Sequence, residues 1–214
     1  MRLLICAGGT AGGVNPALSV LEELGDRVEE LLWVGSEGGM EEELVKRQNI
    51  PYQTIPAAGL HGVGWKHLTG NLLQLARGYF ASRKILREFK PDVLFFTGGF
   101  VAAPMAMAGV ALESLLYVPD IEPGLALKYI AGFSDKIALT SDASRKFFPW
   151  KNRLITTGYP TRFGLKRTSK AAARKFFGVN KDGSVLLVFG GSKGARSINR
   201  AITRNLKDLL AETQ

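Results

Sequence analysis

The sequence predicts an α/β protein whose parallel sheet is doubly wound, with helices on both faces. Short apolar runs of strand length alternate with runs of helix length from residue 3 to residue 158. Parallel strands need crossover connections, so this alternation is typical of a parallel sheet. Two of the apolar runs also pass straight into glycine turns, at residues 8–13 and 98–99. Such turns lie at the strand ends where open α/β sheets bind their ligands.

The expected strands and helices follow one another along the chain. Strands are expected in LLIC, VEELLWVG, PYQTIPA, DVLFFTGG, SLLYV, KIALT and RLITTG. Helices are expected near residues 16–25, 39–48, 68–89, 101–112, 123–132 and 141–147. A chain of 214 residues has room for one large domain, or for one domain and a fragment of another.

The composition changes after Gly158, which predicts a domain boundary. Residues 1–158 are expected to form a Rossmann-like domain, and the polar, basic residues 159–183 a linker with a helix near 168–177. Residues 184–214 then repeat the opening order of apolar strand, glycine loop and helix. One strand and one helix cannot enclose a core. A second domain is therefore expected to be truncated, absent or supplied by another chain.

The stretch LLICAGGTAGGVNP at residues 3–16 reads as a buried strand, a glycine loop and a helix that Pro16 opens. A helix N-terminus presents unpaired N–H groups and a positive dipole end, which suit an anionic ligand. The loop has neither the G-x-G-x-x-G pattern nor the G-x-x-x-x-G-K-[ST] pattern, so neither a Rossmann dehydrogenase nor a P-loop NTPase is favoured. The alternative is a tight turn whose glycines only permit close packing.

Charge and cysteine content narrow the functional classes. The net charge of +9 is uneven, with +5 in residues 61–91 and +13 in residues 145–214. The first of these segments suggests an anionic surface or ligand nearby, and the second is compatible with a solvated face. A single cysteine, Cys6, permits no intrachain disulfide and fits a reducing cytoplasm. The opening residues are expected to be the first strand rather than a signal peptide, and no run has the length of a transmembrane helix.

Four motifs, taken in order, resemble the MurG-type UDP-N-acetylglucosamine glycosyltransferases of the GT-B fold. They are GGTAGGVNPAL at 8–18, TGGFVAAP at 97–104, GYPTR at 158–162 and GGSKGARSIN at 190–199. The resemblance implies an N-terminal acceptor domain and the start of a donor domain whose larger part is missing. It also implies transfer of N-acetylglucosamine from UDP to a polyprenyl-diphosphate-linked sugar, lipid I to lipid II in peptidoglycan synthesis. Inversion at the sugar and independence of any metal or other cofactor are implied with it.

The resemblance further implies which residues bind substrate. The first glycine loop and TGGFVAAP would hold the acceptor's diphosphate, Arg162 would contact phosphate with its guanidinium, and the third loop would face UDP-N-acetylglucosamine. For each motif a plain strand–helix turn, or for Arg162 a surface arginine in a hinge, remains the alternative. The implied residues are Thr10, Ala11, Gly12, Gly13, Asn15, Gly98, Gly99, Phe100, Arg162, Gly191, Ser192 and Lys193.

The catalytic base departs from the family pattern. The family's first motif usually reads G-G-T-G-G-H, and Gly13 stands at the position of its histidine, where it cannot move a proton. A second family motif, H-E-Q-N, has lost its histidine and glutamate here. Asp120 is the expected replacement base, with Glu122 beside it as a second candidate and a helix N-cap as the alternative role. The other explanation is a lost or changed reaction, and the chain alone is expected to turn over little or nothing.

The segment at residues 64–90 mixes aromatic and aliphatic side chains with basic ones. Core packing with solvated cations is one interpretation, and a helix lying on an anionic membrane surface is the other. The resemblance implies a cytoplasmic, peripheral enzyme on the inner face of the plasma membrane, and no nucleic-acid module is recognised. The expected membrane-facing residues are Trp65, Lys66, Leu72, Leu75, Arg77, Tyr79, Phe80, Arg83 and Lys84.

A function of a different class also remains open. The chain would then be a non-catalytic module that holds a polyprenyl diphosphate or a partner chain at the membrane. Such a module would work only with a second subunit that supplies the donor domain.

Overall fold

The computed structural model describes residues 1–9, 11–57, 65–161, 168–180, 183–190 and 194–212, with the backbone alone at residues 11, 65–69 and 212. The chain divides into two compact units, Met1–Phe163 and Gly164–Gln214. The predicted domain bounds, 1–158, 159–183 and 184–214, and the roles given to these parts remain a prediction.

The first unit is built on a seven-stranded sheet in which every pairing is parallel. The strand order is β3-β2-β1-β4-β5-β6-β7. The order reverses between β1 and β4, and ligands bind beyond the carboxyl ends of the strands at such a switch point. The strands are β1 Arg2–Ala7, β2 Glu30–Ser36, β3 Tyr52–Ile55, β4 Val93–Gly98, β5 Glu113–Val118, β6 Lys136–Leu139 and β7 Leu154–Thr156.

Helices cover both faces of this sheet and create two apolar cores. In β1, Leu4 and Cys6 point into one core, and Leu3 and Ile5 point into the other, all of them buried. The period of two in a strand produces this division, so the central strands are apolar throughout. The helices of the first unit are α1 Ala11–Leu24, α2 Met40–Lys46, α3 Trp65–Phe89, α4 Ala102–Ala108 and α5 Leu125–Ala131. The predicted doubly wound α/β fold is confirmed.

Helix α1 begins five residues before the predicted start at Pro16. Proline fits the first turn of a helix best, because it lacks an N–H group, yet here Pro16 lies inside α1. The hydroxyl of Thr97 donates a 2.7 Å hydrogen bond to the carbonyl oxygen of Gly13, which stabilises this early turn. Gly12 and Gly13 therefore belong to the first turn of the helix rather than to a loop.

Two other predicted helices differ from the structure in their extent or type. The helix expected over 101–112 ends at Ala108, where Gly109 follows as its cap. The short helix expected over 141–147 is a 3-10 helix at Asp142–Phe147, and Ser141 caps it by accepting from the Ala143 N–H. Further 3-10 turns lie at Gly25–Arg27 and Lys151–Arg153.

The second unit contains helices α6 Lys170–Phe176 and α7 Arg196–Glu212. The strand predicted in SVLLVFGG is wrong: residues 184–190 form none, and Leu187 and Phe189 are about three-quarters exposed, at 76% and 77%. A strand needs a neighbouring strand to complete its hydrogen bonds. In the described part of this unit no strand lies beside the segment, so its sequence preference is not realised.

Candidate functional site

The loops that follow β1 and β4 touch at the switch point of the sheet. Gly98 and Gly99 have φ values of +111° and +88°, which L side chains rarely adopt. A methyl group at Gly99 would lie 2.7 Å from the carbonyl oxygen of Gly8. Glycine is therefore required at this contact by both its conformation and the close approach of the two backbones.

The N-terminus of α1 lies at the same place. The Thr97–Gly13 hydrogen bond joins the end of β4 to the first turn of this helix. The first N–H groups of an α-helix have no partner within the helix and carry its positive dipole end. Gly12 is exposed and Gly13 is buried. A methyl group at Gly13 would make ordinary contacts, the nearest at 3.5 Å to the Thr97 carbonyl oxygen, so packing alone does not require glycine there.

A buried carboxylate, that of Glu41 in α2, fixes the neighbouring backbone. The residue is only 1% exposed. Its Oε1 accepts hydrogen bonds from the N–H of Ser36 at 2.8 Å and from the Ser36 hydroxyl at 2.7 Å. Its Oε2 accepts from the N–H of Gly9 at 3.1 Å. Burial raises the pKa of this carboxyl, but the hydrogen bonds from Ser36 and Gly9 outweigh burial and hold the pKa below its usual value.

Sequence reasoning missed Glu41 because three consecutive glutamates read as one solvated helix face. The signal that could have found it is the spacing to Val45, which shares the buried face of α2 with Glu41. The glycines beside it leave room for the carboxylate. A methyl group at Gly8 would lie 2.5 Å from the Glu41 Oε1 atom, and one at Gly39 would collide with the same carboxylate. Close packing therefore explains Gly8 and Gly39.

The loop after β5 carries Asp120, the predicted base. Asp120 is exposed, and its backbone carbonyl oxygen accepts a 3.2 Å hydrogen bond from the Ser144 hydroxyl. Gly124 is the N-cap of α5 and makes no side-chain capping bond. Neither Asp120 nor Glu122 therefore serves as the cap of this helix, which removes the alternative role for them.

Tyr117, at the carboxyl edge of the sheet, forms a hydrogen bond with the first residue of the GYPTR motif. Its hydroxyl lies 2.6 Å from the Thr140 hydroxyl and donates to the carbonyl oxygen of Gly158 at 3.3 Å. The rings of Tyr117 and Tyr159 meet edge to face with centroids 6.3 Å apart. Burial raises the pKa of Tyr117, and its hydroxyl remains a donor at neutral pH.

The structure brings together two groups of the predicted substrate-binding residues. Ala11, Gly12, Gly13 and Asn15 lie in the first turns of α1, whereas Gly98 ends β4 and Gly99 and Phe100 follow it. Five of the predicted residues lie outside the described part of the chain, so their roles stay predictions: Thr10, Arg162, Gly191, Ser192 and Lys193.

Helix α3 presents a mixed apolar and basic face to solvent. Leu72 and Phe80 are 62% and 68% exposed, and Leu73 is also exposed. Leu75 and Tyr79, from the predicted set, are half-buried, and Trp65 and Lys66 lie in α3 with no side chain described. The exposed basic residues of this face are Arg77, Arg83, Lys84 and Arg87. Among the helices that the structure describes, none is both long and apolar enough to cross a membrane.

Two curated proteins are similar to almost the whole chain. One from Desulforudis audaxviator is 37% identical over 207 residues, which are 94% of this chain and 55% of that protein. Another, from Halalkalibacterium halodurans, is 33% identical over 216 residues, or 99% of this chain and 59% of that protein. Both are named UDP-N-acetylglucosamine--N-acetylmuramyl-(pentapeptide) pyrophosphoryl-undecaprenol N-acetylglucosamine transferase. The chain thus spans a little over half the length of these relatives.

Solved structures show the same fold, and a family model matches the sheet domain. Acinetobacter baumannii MurG superposes with a TM-score of 0.61 at 20% identity, over 78% of this chain and 48% of that one. Anabaena Alr3699/HepE, solved in complex with UDP, gives 0.56 at 14% identity, over 83% of this chain and 50% of that one. Residues 3–139 match the glycosyltransferase family 28 N-terminal domain. This match covers more than half of the chain, and the chain therefore belongs to glycosyltransferase family 28.

Proposed function

We propose that the first unit binds a polyprenyl-diphosphate-linked sugar as the acceptor of a glycosyl transfer. The whole protein would transfer N-acetylglucosamine from UDP-N-acetylglucosamine to it, which converts lipid I to lipid II in peptidoglycan synthesis. The observation that carries the proposal is the meeting of two loops at the switch point, where Thr97 bonds to Gly13 in α1 and Gly99 packs on Gly8. The names of the relatives supply the chemical identity of donor and acceptor.

The diphosphate would lie at the first turn of α1. The N–H of Gly9 already donates to Glu41, so it is not available to a ligand. The N–H groups at the helix start, those of Gly12 and Gly13 among them, point out of the helix and attract anions. The positive φ values of Gly98 and Gly99 turn the backbone at the end of β4, where the next loop meets the Gly8 backbone.

Asp120 would act as the general base. It would take the proton of the acceptor hydroxyl while that oxygen bonds to C1 of N-acetylglucosamine and the bond from C1 to UDP breaks. General-base catalysis typically contributes about 10²- to 10⁴-fold. In the native protein, Asp120→Asn should therefore lower kcat by about that factor, with little change in KM. Asp26→Asn, at another exposed aspartate, is the control. An Asp120→Asn enzyme with unchanged kcat would exclude this role.

Helix α3 would hold the protein on the membrane that contains the acceptor. Its exposed Leu72, Leu73 and Phe80 would enter the headgroup region, and Arg77, Arg83 and Lys84 would contact anionic lipid. This arrangement corresponds to a peripheral protein on the cytoplasmic face of the plasma membrane.

A second candidate function is a binding module that works with a partner chain. The observation in its favour is the exposed apolar segment at residues 185–189, which is typical of a strand without neighbours. In that case the partner would supply the donor-binding domain, and this chain would supply the acceptor-binding domain.

Calorimetric titration of the chain with geranylgeranyl diphosphate tests the acceptor proposal, and geranylgeraniol, which lacks the diphosphate, is the matched control. We expect saturable binding of the diphosphate and none of the alcohol. Equal binding of the two compounds, or no binding of either, would contradict the proposal.

A further inference from the structure

We propose that Glu41 is a positioning residue of the acceptor site, which acts on the ligand through the backbone of Gly9. This inference rests on the proposed function, since it deepens the account of the same site. A carboxylate that is 1% exposed is unusual, because burial of an unpaired charge is costly. Here three donors, two from Ser36 and one from Gly9, compensate for the lost water.

The three hydrogen bonds join the loops that follow two neighbouring strands. Ser36 ends β2, and Gly9 lies two residues beyond β1. Gly9 has a φ of +95°, and no atom of the described residues, its chain neighbours aside, lies within 4 Å of the position that a side chain there would take. The positive φ, and not a lack of room for a side chain, therefore favours glycine at this position. The Gly9 N–H donates to Glu41, and α1 begins two residues further along the chain.

The charge and the geometry of Glu41 have opposite effects on an anionic ligand. A carboxylate near a diphosphate repels it, so the charge alone weakens binding. The bond to Gly9, in contrast, sets the path of the chain into the first turn of α1 and thereby orients the N–H groups that would receive the diphosphate. Glu41 favours binding only if this second effect is the larger one. The two effects predict opposite changes in the affinity for a diphosphate when Glu41 is replaced by an uncharged side chain of the same shape.

The experiment compares Glu41→Gln with Glu43→Gln. Glutamine keeps the size of the Glu41 side chain, but its amide has an NH2 group in place of one carboxylate oxygen. The single remaining oxygen cannot accept hydrogen bonds from both Ser36 and Gly9. Glu43 lies in the same helix with its side chain 75% exposed, so its substitution removes the same charge without touching the loop. Affinity for geranylgeranyl diphosphate is measured by calorimetry, and the amide proton of Gly9 is followed by NMR.

We expect Glu41→Gln to weaken binding at least about tenfold and to move the Gly9 amide signal upfield, as loss of a hydrogen bond to a charged group implies. Glu43→Gln should change neither. Tighter binding or unchanged binding by Glu41→Gln would overturn the proposal, because the charge would then be its main influence on the ligand. If Glu41→Gln does not fold, Ser36→Ala removes the hydroxyl bond to Glu41 Oε1 and keeps the backbone bonds from residue 36 and Gly9, and a smaller loss of affinity is expected.

The two proposals fail in different ways. If the unaltered chain binds no diphosphate, the proposed function fails, while the Gly9 amide signal still reports whether Glu41 holds the loop. If the unaltered chain binds and Glu41→Gln binds equally well, the proposed function stands and the role of Glu41 is wrong.

Discussion

The hydroxyl of Thr97 donates a 2.7 Å hydrogen bond to the carbonyl oxygen of Gly13, 84 residues earlier in the chain. This bond attaches the carboxyl end of β4 to the first turn of α1. The two halves of the candidate acceptor site are therefore held together by a specific interaction as well as by the sheet.

Thr97→Val should remove this attachment with little change in shape. We expect a loss of about 1 kcal/mol in the free energy of unfolding, the usual contribution of a buried hydrogen bond. Urea unfolding measures it. Thr97→Ser, which keeps the hydroxyl, is the control and should lose less. Equal losses in the two variants would show that the hydroxyl is not the stabilising group.

The glycines of the site should differ sharply in their tolerance of alanine. Gly99→Ala should destabilise the fold by at least about 2 kcal/mol, because φ is +88° and the new methyl group would overlap the Gly8 carbonyl. Gly13→Ala should be neutral or stabilise the protein by up to about 1 kcal/mol, since its position is helical and has room for a methyl group. Thermal unfolding of both variants checks this. A stable Gly99→Ala protein would contradict the described contact of the two loops.

Glu41 should make the stability of the protein sensitive to acid. Its pKa in the folded state lies below the usual value of 4.5, so its stabilising contribution is fully present above that pH. The contribution is lost as the pH falls through the lowered pKa. The difference in unfolding free energy between the unaltered protein and Glu41→Gln should therefore be largest at neutral pH and shrink below pH 4.5. A difference that does not change with pH would mean that the carboxylate charge has no part in folding.

The basic face of α3 should bind anionic vesicles. Replacing Arg77, Arg83 and Lys84 with alanine should weaken binding to phosphatidylglycerol-rich vesicles by more than about tenfold, since each cation contributes about 1 kcal/mol near such a surface. The matched control replaces Arg196, Arg200 and Arg204, which are exposed on α7 and carry the same total charge. Vesicle sedimentation at low salt measures both. Equal losses of vesicle binding in the two variants would mean that the overall charge of the protein, and not the face of α3, determines binding.

The sheet and its order of elements could be predicted from the sequence because buried parallel strands are continuously apolar. The beginning of α1 could not, since it depends on Thr97, a residue from a distant strand. The burial of Glu41 could not be predicted for a related reason, since it depends on hydrogen-bond donors from Gly9 and Ser36. Periodicity alone does not distinguish Glu41 from its neighbours in an acidic run. The strand predicted in residues 184–190 was wrong because strand preference has no effect without a partner strand.

The measurement that tests the central claim most directly is an NMR titration of the chain with geranylgeranyl diphosphate, in which every assigned backbone amide reports separately. The account predicts that the largest shifts fall on Gly12, Gly13, Gly99 and Phe100, at the N-terminus of α1 and the end of β4. Shifts confined to α3 or to the second unit, or no shifts at saturating ligand, would contradict it.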